Sequence, residues 1–236
     1  GGGLGTMIPP SIILIFFALE AGVPTGDLFL ASFIPGFMLA SFYIIYIIIR
    51  CYLDPSKGPP RKKEDIPPLE ERIKLLKKLL APGLIALWIM VSIYGGIATV
   101  TETAATGALA ALLIGIKRKK VNFKFLKDCL SYTLSVTGRL FWLTMGSTSL
   151  IGVFSIMGAT AYLKSMVLGL PFEPLGIVLT MMGILVILGM FMDWIGILLL
   201  TSPIFVPIII QLGFSPIWYG VLFSLNMQVS FVSPPF

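Results

Sequence analysis

Apolar and polar positions separate into long blocks along this chain. Gly5-Thr6-Met7-Ile8-Pro9-Pro10-Ser11 is a break, and Ile12 to Ala21 is apolar apart from Glu20. This predicts a helix of about 11 residues, roughly 16 Å, half a bilayer, so residues 1–22 read as a broken helix. Glu20 to Asp27 is a turn with Gly22, Pro24 and Gly26. Residues 27–50 read as a full span, because Leu28 to Ile49 carries no charge. Residues 51–68 form a polar linker rich in Pro and Gly. Residues 69–80 place Ile73, Leu76, Leu79 and Leu80 on one stripe, which predicts an amphipathic helix lying in the membrane interface. Residues 82–116 hold one charge, Glu102, and predict two spans around a turn at 95–102. Residues 117–192 supply further spans at 140–163 and 174–192.

From Trp194 to Phe236 there is no charge, yet Pro203, Pro207, Pro216 and Pro234-Pro235 interrupt the run. Such a run belongs in lipid or in membrane-embedded protein, where irregular backbone is tolerated only if protein buries it or it lines a cavity. The arms 194–201 and 203–211 are each too short to cross, so 193–212 reads as a re-entrant hairpin. A single span kinked at Pro203 and Pro207 is the alternative. Ser215-Pro216 starts the last helix, 216–236, with Pro at the first helical position.

Composition sharpens this picture. Hydrophobic residues make up 57% of the 236 and charged residues 12%, about half the share in soluble domains. The fold class is an all-α polytopic membrane protein. The uniform apolar runs lack the alternation of a membrane β-barrel. The absence of His excludes imidazole metal sites and His-based catalysis, and Cys51 and Cys129, a lone pair without metal-ligand spacing, do not indicate a disulfide framework. The net charge of +6 does not mark a nucleic-acid binder. Of 17 Lys and Arg, all but Arg139 and Lys164 fall in 50–78 and 117–127, beside apolar spans. Both stretches are therefore expected on the cytoplasmic side of the membrane. The start without Met and the stop after Pro234-Pro235 predict an internal piece of a larger permease.

Glu102 and Asp193 are acids set in apolar surroundings, where a carboxylate costs on the order of 2.5–3.5 kcal/mol. Two roles fit: coupling to a cation or proton, or capping the helix that follows. Thr99 stands three residues before Glu102, the spacing of a capping box. Thr99, Thr101, Thr103 and Thr106 form a hydroxyl cluster suited to a hard cation such as Na⁺. For Thr103 and Thr106, helix packing beside Ala104, Ala105, Gly107 and Ala108 is the better reading. Thr144, Ser147, Thr148 and Ser149 stud another span, and Arg139 either snorkels to the interface or meets a substrate carboxylate. No nucleophile–base set or phosphate loop is legible, so an intramembrane enzyme is disfavoured. A weak internal repeat links Ile8-Pro9-Pro10-Ser11 with Val232-Ser233-Pro234-Pro235, and such paired interruptions point to transporter sites.

Four motifs then carry a resemblance. They are Gly5-Thr6-Met7-Ile8-Pro9-Pro10-Ser11-Ile12; Gly96-Ile97-Ala98-Thr99-Val100-Thr101-Glu102-Thr103-Ala104-Ala105; Met192-Asp193-Trp194 with Pro203 and Pro207; and Asn226-Met227-Gln228 with Ser233-Pro234-Pro235-Phe236. Together they resemble the large, DctM-like membrane subunit of tripartite ATP-independent periplasmic (TRAP) transporters. The family commonly has Pro where Val100 stands and Ala where Thr103 stands. The resemblance implies an inverted-repeat, elevator-type transporter with a re-entrant hairpin and broken helices. It implies Na⁺-coupled uptake of an organic acid, a C4-dicarboxylate or related carboxylate, with Na⁺ as coupling ion and no other cofactor. It also implies a small membrane subunit and a periplasmic substrate-binding protein as partners. The expected substrate and ion site comprises Gly5, Thr6, Pro9, Pro10, Ser11, Thr99, Thr101, Glu102, Asp193, Thr201, Ser202, Pro203, Asn226, Ser230, Ser233, Pro234 and Pro235. Main-chain carbonyls near Pro9, Pro10, Ser202 and Ser233 are the expected Na⁺ ligands. A carboxylate carrier of the same superfamily without a binding protein is the alternative.

Overall fold

The structure is a computed structural model that describes residues 2–58 and 68–231. Among these it is helical throughout, an all-α polytopic membrane protein. The α-helices are α1 (Ile12–Ala21), α2 (Thr25–Leu53), α3 (Leu69–Tyr94), α4 (Val100–Lys117), α5 (Phe123–Ile156), α6 (Ala159–Leu168), α7 (Pro174–Gly189), α8 (Trp194–Gln211) and α9 (Pro216–Ser230). Four of them, α2, α4, α5 and α8, are long and apolar enough to cross a membrane. The chain divides into two compact units: Gly1–Phe33 with Asn122–Phe236, and Ile34–Val121.

The first unit is built around α8. Pro203 and Pro207 do not split this segment; 194–211 is one helix, long and apolar enough to cross a membrane, in place of the two arms expected at 193–212. Each proline removes one helical donor, while the neighbouring residues keep theirs and packing fixes the rest. Helices α1, α5, α6, α7 and α9 all pack against α8, and α9 packs in turn on α1 and α7. Ile197, Leu198, Ile208 and Ile209 are fully buried in α8. Phe17 of α1 is the aromatic centre of this core. Its ring lies 5.8 Å from that of Tyr219 and 5.7 Å from that of Phe223, both on α9. The approach is close because residue 220 is Gly: a Cβ there would stand 2.6 Å from the Phe17 ring and 2.8 Å from Leu28.

The span expected over 140–163 is interrupted. α5 ends at Ile156, and Gly158 takes the left-handed conformation (φ 73°) that ends a helix at little cost. α5 starts far earlier, at Phe123, and its 34 residues measure roughly 51 Å, longer than the ~30 Å hydrocarbon layer. Thr144, Thr148 and Ser149 on it donate to carbonyls four residues back, at 2.9, 2.8 and 2.7 Å, which lets them face outward. Arg139 is exposed, with its Nε 3.4 Å from the Ser135 carbonyl.

In the second unit α3 and α4 form an antiparallel hairpin. The interfacial helix expected at 69–80 does not stop there: α3 runs on through Pro82 to Tyr94, so the amphipathic and apolar stretches are one helix. Its Ile73, Leu76, Leu79 and Leu80 are exposed. The turn at 95–99 lies inside the expected one. Gly107 of α4 sits against Ile85 and Ile89 of α3, and Trp88 Nε1 donates to Thr106 Oγ1 at 3.0 Å. Small residues at this seam allow close approach, as expected for Thr103 and Thr106.

Replacing Gly220 by Ala should destabilise the first unit by about 1–3 kcal/mol, since the added Cβ would overlap Phe17 and Leu28, both fully buried. Gly138→Ala, where a Cβ meets nothing within 4 Å, serves as control. Thermal unfolding in one detergent checks this; equal midpoints for the two variants would count against the packing described.

Candidate functional site

The break before α1 is held by hydrogen bonds from its own residues and from α9. Residues Gly2–Thr6 make a short 3₁₀ turn, and the chain then bends through Ile8 and the cis-linked pair Pro9–Pro10 to Ser11. Prolines supply no donor, so a helix cannot run through 9–10. Ser11 is fully buried and caps α1, accepting from Leu14 N at 3.4 Å, while its own hydroxyl donates to the Thr6 carbonyl. Thr6 Oγ1 donates to the Gly3 carbonyl at 2.7 Å.

From the far end of the sequence, Gln228 Nε2 reaches the same turn. It donates to the Gly3 carbonyl and, at 2.7 Å, to Thr6 Oγ1. Ser224 Oγ, one turn earlier on α9, lies 3.4 Å from the Thr6 carbonyl. These side chains satisfy backbone groups that a helix would have satisfied itself. In apolar surroundings an unmet carbonyl costs several kcal/mol, so the contacts stabilise the break. Gly5 and Pro10 are exposed beside it and Pro9 is buried.

Among the described residues, the buried side-chain groups of this unit without a hydrogen-bond partner include the Ser202 hydroxyl and Asn226 Oδ1, along with the Thr160 and Tyr219 hydroxyls. Asn226 of α9 donates from Nδ2 to the Met182 carbonyl of α7 at 2.8 Å, but its Oδ1 accepts nothing. Ser202 of α8 is 3% exposed, and its hydroxyl makes no hydrogen bond. Within α8, Pro203 and Pro207 deprive the carbonyls of Leu199 and Pro203 of their helical donors. Ser202 stands between those positions, and Thr201 next to it is satisfied internally, donating to the Ile197 carbonyl at 2.7 Å. Ser230 ends α9 directly against Gly189 of α7, where any Cβ would collide with its hydroxyl. Ser233, Pro234 and Pro235 lie outside the described residues.

Asp193 is exposed and occupies the N-cap position of α8, but its carboxylate makes no capping hydrogen bond. Glu102 behaves differently, in the other unit. Thr99 Oγ1 accepts from Glu102 N at 3.3 Å, and Glu102 Oε2 accepts from Thr99 N and Thr99 Oγ1, both at 2.8 Å. This is the capping box read from the spacing. Its three hydrogen bonds are local, and Thr99, Thr101 and Glu102 are exposed at the hairpin tip.

Gly5, Thr6, Pro9, Pro10, Ser11, Thr201, Ser202, Pro203, Asn226 and Ser230 thus share the first unit; Thr6 joins the α9 network directly, and Ser11 through the Thr6 carbonyl. Gln228 and Ser224 complete that network, although only the motif around Asn226 hinted at them. Gly189 gave no signal of its own; its role follows from what lies opposite.

Gly189→Ala should lower stability by about 1–3 kcal/mol through overpacking, and adding Ser230→Ala should recover much of the loss. Gln228→Leu should cost a similar amount, because Thr6 Oγ1 loses the donor from α9 and the Gly3 carbonyl loses one of its two side-chain donors. Melting curves of the three variants in one detergent check both; additive losses in the Gly189–Ser230 pair would refute the close contact.

Comparison with known proteins places the fold in a family. A family model described as tripartite ATP-independent periplasmic transporter, DctM component, matches residues 1–236. The isethionate TRAP transporter permease protein DctMQ of Oleidesulfovibrio alaskensis is 26% identical over 99% of this chain and 36% of its own length. The C4-dicarboxylate TRAP transporter large permease protein DctM of Pseudomonas aeruginosa is 28% identical over 99% of this chain and 54% of its own. The sialic acid TRAP transporter large permease protein SiaM of Vibrio cholerae is 29% identical over 98% and 53%. The chain spans about half the length, or less, of these curated relatives. All three are named as transporter permeases, not as enzymes. On the match along its whole length, this chain belongs to the DctM component family of tripartite ATP-independent periplasmic transporters.

Proposed function

We propose that this chain is the part of a TRAP large permease that builds one half of a Na⁺-coupled site for an organic acid in the inner membrane. A periplasmic binding protein delivers the substrate, and a small membrane subunit completes the assembly. The observation that carries the reading is the buried Ser202 hydroxyl and Asn226 Oδ1 without partners, in the unit where Pro203 and Pro207 free backbone carbonyls. Oxygens left over in an apolar interior fit a hard, weakly held cation that replaces its water shell with carbonyls and hydroxyls. Carbonyls near Pro9 and Pro10, held out of helix by the Gln228 contacts, are further candidates, as is the stretch around Ser233. The chemistry also fits the energetics. Each Na⁺ carried inward gains about 2.3 kcal/mol per 100 mV, so two ions outweigh the charge of an incoming carboxylate.

The substrate is proposed only as a carboxylate or related organic acid. Relatives are named for isethionate, C4-dicarboxylates and sialic acid, which share an anionic group and little else. Movement is proposed as elevator-like, the site-bearing helices shifting against the others. Asp193 acts in this reading by its charge, since its carboxylate caps nothing.

Proteoliposomes holding the full-length permease, its small subunit and its binding protein decide the matter. Uptake should require Na⁺ and an inside-negative potential. Asn226→Ala and Ser202→Ala should each raise the half-saturating Na⁺ concentration by about tenfold, the worth of one ligand contact. Asp193→Asn should fail nearly as badly as Asp193→Ala. Equal uptake in K⁺ and Na⁺ media at constant pH would reject Na⁺ coupling.

A further inference from the structure

The second unit ends on four consecutive basic residues, Lys117, Arg118, Lys119 and Lys120, all exposed at the end of α4, a helix long and apolar enough to cross a membrane. Their backbone is not a loose tail. Arg118 N donates to the Ile114 carbonyl at 3.0 Å, Lys119 N to that of Ile116 at 2.8 Å, and Lys120 N to that of Gly115 at 3.0 Å. The last two bonds define a Schellman reversal, in which the residue after the cap takes the left-handed conformation and is ordinarily Gly. Here it is Lys119, with φ 54°, the one residue other than Gly with positive φ among the described residues. Side chains with a Cβ rarely adopt this conformation, so a charge is kept where Gly would turn more easily. Val121 closes the reversal against Gly115, where a Cβ would meet Val121 Cγ2 at 2.9 Å.

Among the described residues the four cations have no acidic partner. Among the described residues the one ion pair joins Lys57 to Asp54, at 3.6 Å. Immediately beside the cations, Leu113 and Ile116 on the last turn of α4 are 57% and 53% exposed. A fixed cluster of positive charge bordering exposed apolar surface at a span's end matches one ligand chemistry: a phosphate joined to an acyl chain.

We propose that the Lys117–Lys120 reversal is a docking surface for the headgroups of anionic phospholipids, whose chains lie along Leu113 and Ile116. Free phosphate or a polyanion would use the charges but not the apolar border. A Lys or Arg close to an anionic membrane surface is worth about fivefold in binding. Four of them held in one turn therefore make α4 prefer anionic over zwitterionic lipid, and the preference falls with salt.

The test uses the full-length permease purified in an uncharged detergent and titrated with phosphatidylglycerol, phosphatidylcholine or sodium phosphate, with thermal unfolding as readout. Phosphatidylglycerol should raise the unfolding midpoint at concentrations where the other two do little. Replacing all four residues by Gln should increase the phosphatidylglycerol needed by at least about tenfold. Lys57→Gln, a cation already paired, should leave it unchanged. Lys119→Gly separates charge from folding: its midpoint without added lipid should match or exceed wild type, while its phosphatidylglycerol requirement rises about fivefold. An unchanged requirement in the fourfold variant, or equal stabilisation by phosphatidylcholine or sodium phosphate, would overturn the proposal.

Discussion

Backbone polar groups that leave a helix inside an apolar medium must find another partner, and the first unit is arranged around that demand. The chain breaks at Pro9-Pro10, and the carbonyls of Gly3 and Thr6 then depend on side chains. Gln228 and Ser224 of α9 supply the donors, with Thr6 and Ser11 adding local ones. For those side chains to reach, α9 must lie against the break. Gly220 lets it approach by making room for the Phe17 ring, and Gly189 makes room for Ser230 at the other end of the helix. The irregular stretch and the close packing are two sides of one requirement.

The same demand explains why α8 remains a helix. Two prolines remove two hydrogen bonds, yet helices on several sides bury the segment and leave the remaining bonds in place. What survives of the interruption is chemical rather than topological: freed carbonyls and an unpartnered Ser202 hydroxyl inside packed protein. A membrane protein retains such groups at a cost, which is why they carry the functional reading. The acids divide along similar lines. Glu102 is spent on its own helix end, while Asp193 is not.

Much of this was legible along the chain because it depends on neighbours in sequence. Thr99 and Glu102 form a capping box since three residues bring a hydroxyl and a carboxylate to one helix start. Ser11 and Ser215 cap α1 and α9 for the same reason. Length and hydrophobicity marked α2 and α4 as spans. The local reading failed where one residue's conformation or the surroundings decided. Gly158 turned left-handed and divided a run that is apolar on both sides. Pro82 sat inside a helix that continued past it.

The sequence by itself determined that this is a polytopic helical membrane protein, where most helices start, and that residues 5–11 leave the helix. Those outcomes follow from hydrophobicity, proline geometry and short-range hydrogen bonds, which act over a few residues. Only the tertiary structure decided that Gln228 would hold Gly3 and Thr6, that Gly189 would meet Ser230, and that 194–211 would be one helix rather than two arms. Such pairings join residues far apart in the chain. Their free energy comes from excluding lipid and water around several helices at once, a sum that no single segment contains.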